Sequence, residues 1–314
     1  MNQKTRILFD GDPGIDDALA ILYAIKSKDI ELVGITTVGG NITIENTTRN
    51  ALRILEITEN TEIPVARGVG KPLLRVNESV GEVHGRDGLG NSSLPEPKIK
   101  ETSVHAVDFI INTIMKNPKQ ITLVPVGPLT NIAVAVIKEP RLKDYVKEVI
   151  IMGGAVTTFG NITPESEFNI YTDPEAAKIV FESGMPITLV GLDVTMKTLL
   201  TSAHLEEILK AGTPVTDFVG KIVSHYMRFY HDVVGVDGCG MHDPLAVAVA
   251  ADRSLVKTKR YFVTVETKGE YTTGETVADL RASKEGVVKP PNMDVCVEVD
   301  SNRFLRTFID TIKK

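Results

Sequence analysis

The chain has 314 residues, 42% hydrophobic and 24% charged, with a formal net charge of −6 and two cysteines, Cys239 and Cys296. These values fit a globular α/β chain and exclude a disulfide framework and a sequence-wide attraction to nucleic acid or anionic membrane. No apolar run approaches a membrane span, and the polar opening Met1-Asn2-Gln3-Lys4-Thr5-Arg6 is not a signal peptide, so a cytoplasmic protein is expected.

Strand and helix patterns alternate along the chain. Residues 6–9 read as a short buried strand, and 16–26 as a helix with Ala18, Leu19, Ile21, Leu22 and Ile25 apolar. Residues 30–38 read as the next strand and 43–57 as a helix with Leu52, Ile54 and Leu55 inward. Residues 67–100, rich in Gly, Pro and charge, read as a loop. Val104, Val107, Ile111 and Ile114 recur at helical spacing and predict a helix over 103–115. A strand at 120–126, a helix at 129–136 and a strand at 148–152 follow, the last ending in Gly153-Gly154. Residues 155–172 read as a second loop. Thr172-Asp173-Pro174-Glu175 then starts a helix, with a capping residue and Pro in the first turn. Residues 186–192 form another strand. Helices are expected at 202–211 and 214–231, strands near 260–267 and 294–299, and a last helix from Arg303. No repeat, low-complexity tract or linker interrupts the pattern, so 1–314 reads as a single domain.

This alternation predicts an open, mostly parallel sheet with helices on both faces, followed by an additional helical and mixed C-terminal part. Ligands in such folds sit beyond the carboxyl ends of the strands. Asp10 to Asp17, Asn41, Val126 to Asn131, and Met152 to Gly154 all follow predicted strands, and a shared site is expected there.

Asp10-Gly11-Asp12-Pro13-Gly14-Ile15-Asp16-Asp17 places four carboxylates where a strand hands over to a helix. Such a group repels itself unless a proton or cation compensates, and oxygen-coordinated divalent metals suit carboxylates. Helix capping accounts for one or two of these acids, not four. Pro13-Gly14 supplies a turn that folds Asp12 back toward Asp16 and Asp17. In Met241-His242-Asp243-Pro244, His242 suits a proton donor and Asp243 a further metal ligand; a capped helix start, with Asp243 as cap, is the competing local reading. Asn161, Glu167 and Asn169 suit a polyhydroxyl ligand, against a plain solvated loop. His225, His231, Tyr226 and Tyr230 fit either a lid or a helix face. Cys239 has no activating pattern, and Asp193 reaches toward the cleft with no assigned role.

Taken together these residues resemble the inosine–uridine-preferring nucleoside hydrolases. The resemblance rests on Asp-Gly-Asp-Pro-Gly-Ile-Asp-Asp at 10–17, Val-Gly-Gly-Asn at 38–41 and Val-Pro-Val-Gly-Pro-Leu-Thr-Asn at 124–131. It continues through Met-Gly-Gly-Ala at 152–155, Gly-Asn at 160–161, Glu-Phe-Asn-Ile at 167–170 and Met-His-Asp-Pro at 241–244. It implies a Rossmann-like fold and Ca²⁺-dependent cleavage of the N-glycosidic bond of ribonucleosides. By resemblance, Ca²⁺ is held by Asp12, Asp17, Asp243 and the main-chain oxygen of Val126, with two ribose hydroxyls and a water completing its shell. Asp12 takes a proton from that water. Asp16 and Asn169 hold the 2′- and 3′-hydroxyls, Asn161 and Glu167 the 5′ side, and Asn41 and Met152 line the ribose pocket. His84 and His242 face the base, with His242 the candidate acid, and Asp10 supports the ligands from behind. Many relatives carry Thr in place of Val126; a main-chain ligand tolerates that change. A homodimer or homotetramer is also implied. Two other readings compete. One is a phosphohydrolase of the haloacid dehalogenase type, on Asp10-Gly11-Asp12; the other is a non-catalytic nucleoside sensor.

Overall fold

The computed structural model describes residues 4–76, 81–281 and 289–314. The first three residues of the polar opening and residues 77–80 of the expected 67–100 loop lie outside the described residues. The strands are β1 (Thr5–Gly11), β2 (Ile30–Thr37), β3 (Val65–Arg67), β4 (Ile121–Pro125), β5 (Glu148–Met152) and β6 (Ile187–Val190). After them come β7 (Leu199–Leu200), β8 (Cys239–Gly240), β9 (Val256–Tyr261), β10 (Val263–Val265), β11 (Thr276–Ala278) and β12 (Met293–Val299). Eight of them form one sheet in the order β3-β2-β1-β4-β5-β6-β12-β9. All neighbours run parallel except β12 and β9. The fold is therefore α/β with a mostly parallel sheet.

Each strand side chain points to the face opposite its neighbour's, and both faces are covered. Ile7 and Phe9 pack on one face with helices Ile15–Lys26, Ile44–Ile57, Pro214–Phe229, His242–Ala251 and Ser301–Ile312. Leu8 packs on the other with helices Ala106–Lys116, Thr130–Lys138 and Pro174–Phe181. β1 is consequently buried on both sides and reads as a continuous apolar run, as its sequence indicated.

From β1 the chain builds outward to β2 and β3, then returns to β4 on the other flank of β1. The loops leaving β1 and β4 therefore part in opposite directions, which opens a crevice at their carboxyl ends. The two strands remain tied there, since the Val126 amide donates to the Asp10 carbonyl at 2.8 Å.

Three differences from the expected elements have physical causes. β3 has only three residues, too few to show a period. The helix expected over 103–115 begins at Ala106, because the His105 side chain accepts from the Val107 amide at 3.3 Å and caps it. The helix expected over 214–231 passes at Tyr230 into a π-turn, Tyr230–Val234, closed by Gly235 at φ 75°. Inserted π-turns of this kind gather at functional sites. Among the described residues no helix is long and apolar enough to cross a membrane.

Candidate functional site

The turn after β1 brings the acids together. Asp17 sits in the first helical turn and folds back: its Oδ1 accepts from the Asp12 amide at 3.0 Å and its Oδ2 from the Gly14 amide at 3.0 Å. Asp12 Oδ2 accepts from the Asn41 amide at 2.6 Å. The Asn41 carboxamide reaches the Asp12 carbonyl and Asp17 Oδ2, at 3.3 and 3.4 Å. Behind them, Asp10 Oδ2 accepts from Thr36 Oγ1 at 2.6 Å and Asn131 Nδ2 at 2.8 Å. Asp243 comes from the far end of the chain, in the first turn of helix His242–Ala251. That helix begins two residues earlier than the expected cap at Asp243: Met241 takes the cap position, which leaves the Asp243 carboxylate free of capping.

Carboxylate oxygens of Asp16, Asp17 and Asp243 all lie within 4.8 Å of one another, and all three residues are buried. Burial pushes the Asp10 carboxyl up to about 7 and the Asp12 carboxyl to about 8. Burial likewise raises Asp16, Asp17 and Asp243. Asp243 is raised further by Asp16, Asp17, Asp12 and Glu167. Asp10 Oδ1, Asp12 Oδ1 and Asp16 Oδ1 are buried without a hydrogen-bond partner. Among the described residues, no Lys or Arg forms an ion pair with this group; the nearest basic side chain is His84, whose Nδ1 lies 4.0 Å from Asp16 Oδ1. Crowded, desolvated carboxylates with orphaned oxygens need a compensating charge. An all-oxygen donor set with no Lys or Arg in it fits a hard divalent cation. The buried acidic triad could thus bind a metal ion. This cluster has Asp16 beside Asp17 and Asp243; Asp12, expected among the ligands, turns one oxygen to Asn41 and leaves the other unpartnered.

The cluster opens on a cavity of about 520 Å³. All the expected site residues line it except Asp10, Asp12 and Asp17, which lie behind its wall. Its polar end is held by a short helix, Phe168–Thr172. Glu167 caps that helix, accepting from the Asn169, Ile170 and Gly154 amides at 3.0, 3.2 and 2.9 Å. Asn169 Nδ2 donates to the Val126 carbonyl at 2.7 Å and points weakly at the Met152 carbonyl, 3.4 Å away. Asn161 Oδ1 accepts from the Phe168 amide at 2.9 Å. The loop expected over 155–172 is therefore an ordered wall. Asp193 anchors its start by accepting from the Val156 and Thr157 amides at 2.9 and 2.7 Å.

The rest of the cavity lining is largely apolar and aromatic, with Val83, Ile162, Phe168, Met196, Phe229 and Val233 beside the two histidines, His84 and His242. His84 Nδ1 accepts from the Ile15 amide at 3.1 Å, and burial lowers its pKa to about 3, so the ring is neutral. His242 is engaged at both nitrogens, with Tyr230 Oη at 2.6 Å from Nε2 and Thr195 Oγ1 at 2.8 Å from Nδ1. Burial lowers the His242 pKa, opposed by Asp16. Tyr230 stacks edge-on against Tyr226, with ring centroids 5.0 Å apart. Tyr226 Oη in turn faces Asp16 Oδ2 at 3.5 Å. These tyrosines thus serve as cavity wall, while His225 and His231 do not line the cavity. Thr195 gave no sequence signal at all: it is one threonine in a short turn, and only the fold sets it against His242. Cys239 is buried, and its thiol is raised well above the usual range by burial.

A family model described as "Inosine-uridine preferring nucleoside hydrolase" matches residues 7–306. The inosine-uridine preferring nucleoside hydrolase of Leishmania major is 43% identical over 314 residues, covering 98% of each chain. The pyrimidine-specific ribonucleoside hydrolase RihA of Salmonella gallinarum is 40% identical over 303 residues, covering 95% of each. Among solved structures, the purine-preferring ribonucleoside hydrolase from Gardnerella vaginalis superposes with a TM-score of 0.93 at 39% identity, covering 98% of each chain. The chain belongs to the inosine-uridine preferring nucleoside hydrolases, a family of N-ribohydrolase enzymes.

Proposed function

We propose that the chain, acting as one catalytic domain, hydrolyses the N-glycosidic bond of ribonucleosides to ribose and free base with Ca²⁺ as its resident ion. Asp12, Asp17, Asp243 and the Val126 carbonyl would hold the ion. The observation that carries this reading is the buried, uncompensated carboxylate group at the strand-end crevice, opening on a cavity whose near wall is amide and carboxylate. When bound, the ion fixes the sugar diol and makes the attacking water more acidic.

The chain's own residues do the rest. Asp12, with Oδ2 held by the Asn41 amide and Oδ1 free of a hydrogen-bond partner, accepts the proton of the attacking water. Asp16 and Asn169 orient the 2′- and 3′-hydroxyls, while Asn161 and Glu167 face the 5′ side. Asn41 and Met152 complete the ribose pocket, and Asp10 steadies the turn from below. Positive charge developing on the sugar, as in other glycosyl transfers, is stabilised by the surrounding carboxylates. His84 and His242 face the base, and His242 supplies the leaving-group proton. Because Tyr230 holds Nε2 at 2.6 Å, that proton leaves either after this bond opens or through the tyrosine hydroxyl. The family membership leaves the phosphohydrolase reading without support.

The test is a panel of inosine, uridine, cytidine and their 2′-deoxy analogues, with and without a chelator. Base release from the ribonucleosides alone, abolished by chelation and restored by Ca²⁺, is the expected result. Full activity on deoxynucleosides, or activity indifferent to chelation, would refute the diol–metal arrangement.

A further inference from the structure

Asn50 lies outside the cavity, on helix Ile44–Ile57, and is completely buried. Its Nδ2 donates to two main-chain carbonyls from distant segments: Pro13, in the acidic turn, at 3.0 Å, and Asp87, beyond His84, at 2.8 Å. Its Oδ1 accepts from Arg53 Nη1 at 3.3 Å, which fixes the amide with its NH₂ toward the carbonyls. Two carbonyls cannot bond to each other. A buried pair of acceptors brought together by the fold needs a double donor between them, and a primary amide supplies one on a single nitrogen.

The segment joined in this way is stiff. Asp87 Oδ1 accepts from the Leu89 and Asn91 amides, both at 2.8 Å, and the Gly90 amide donates to the His84 carbonyl at 2.8 Å. Gly85, Gly88 and Gly90 adopt φ of 79°, 77° and 66°, a left-handed region that suits glycine. A Cβ at Gly88 would approach Asn50 Nδ2 to 2.9 Å, so the fit is close. A second tie runs in parallel, from the Ile15 amide to His84 Nδ1. The acidic turn and the His84 segment are therefore tied at two points, one of them through Asn50.

We infer that Asn50 is a positioning residue, its amide locking the segment that carries His84 to the turn that carries the acids, and so setting where His84 meets the substrate base. The inference rests on the proposed reading in which His84 faces the base. Asn50→Asp keeps the side-chain shape and removes both donors. It is expected to lower kcat/KM on inosine and uridine by about 10- to 100-fold, as a misplaced contact group does. Ca²⁺ affinity should change less than about twofold, because the acids keep their own bonds.

The deciding measurement is a double-mutant cycle with His84→Ala. If Asn50 acts through His84, its substitution costs about twofold or less in the His84→Ala background. Equal loss in both backgrounds, or no loss in either, would overturn the proposal. Asn50→Ser, which keeps one donor, provides a milder variant should Asn50→Asp not fold, with an intermediate loss expected. A fully active His84→Ala enzyme would instead refute the placement of His84 at the base. Amide exchange across residues 85–93 then judges the lock by itself: faster exchange in the Asn50 variants supports it, and unchanged exchange overturns it.

Discussion

His242 illustrates how much a single side chain's role depends on its partners. A histidine free at one nitrogen can donate directly, but here Thr195 and Tyr230 occupy both. The ring's orientation is thus fixed before substrate arrives, and because both partners are hydroxyls, each can donate to or accept from the imidazole. General acid assistance is worth about 10²–10⁴-fold. His242→Ala should therefore slow inosine cleavage by an amount in that range, while a nitrophenyl riboside, whose leaving group needs no proton, should lose far less. Equal loss on both substrates, measured as kcat/KM, would argue against a proton-donor role.

At the scale of elements, the site is a product of turns that follow strands. The loop after β2 places Gly40 against the Asp12 carboxylate, and the loop after β4 places Gly127 there too, where a Cβ would come within 2.5 Å of Asp12 Oδ1. A Cβ at Gly40 would run into Asp12 Oδ2, the oxygen that accepts from the Asn41 amide. Gly40→Ala is accordingly expected to push the carboxylate aside and weaken Ca²⁺ binding by about 10- to 100-fold, the usual cost of disturbing a ligand's support. Calorimetric titration of metal-free protein with Ca²⁺ measures it. An unchanged dissociation constant would show that Asp12 does not depend on this packing. The helix elements contribute differently: Glu167 and Asp173 cap successive short helices. Glu167 holds the Asn169 backbone in the cavity wall, while Asp173 ties its helix to Leu73 and Thr130.

For the whole molecule, the buried acids link metal, protons and stability. Asp10 and Asp12 titrate near 7 and 8 when folded, against 3.8 as the ordinary value. The unfolded chain therefore loses these protons first, and metal-free protein loses stability as pH rises from about 4 to about 8. His84 acts in the opposite sense: folded near 3 against an ordinary 6.5, it costs stability as pH falls through that window. A cation that replaces the carboxyl protons gives back what rising pH removes. Thermal melts with and without Ca²⁺ should thus diverge from pH 5 to pH 8. At a hundredfold excess over the dissociation constant, the ion adds about 2.7 kcal/mol, or roughly 4 °C for a chain of this size. A pH-independent gap would contradict the link between the ion and these carboxyls.

The sequence by itself determined the fold class and the family. Strand periodicity, apolar helix stripes and a set of short motifs are local properties, and each survives being read in isolation. It also located the acidic turn and a helix start around Asp243-Pro244, within about two residues of the observed one, because Pro and Asp constrain the backbone where they stand. The family resemblance also implied that Asp243 joins Asp17; what only the tertiary structure decided are partnerships such as Asp16 within that cluster, Thr195 and Tyr230 on His242, and Asn50 between Pro13 and Asp87. These pairs lie far apart in the chain and share no motif. They meet because β1 and β4 sit side by side at the centre of the sheet and send their loops in opposite directions, and the resulting crevice is filled by whatever the surrounding helices carry to it.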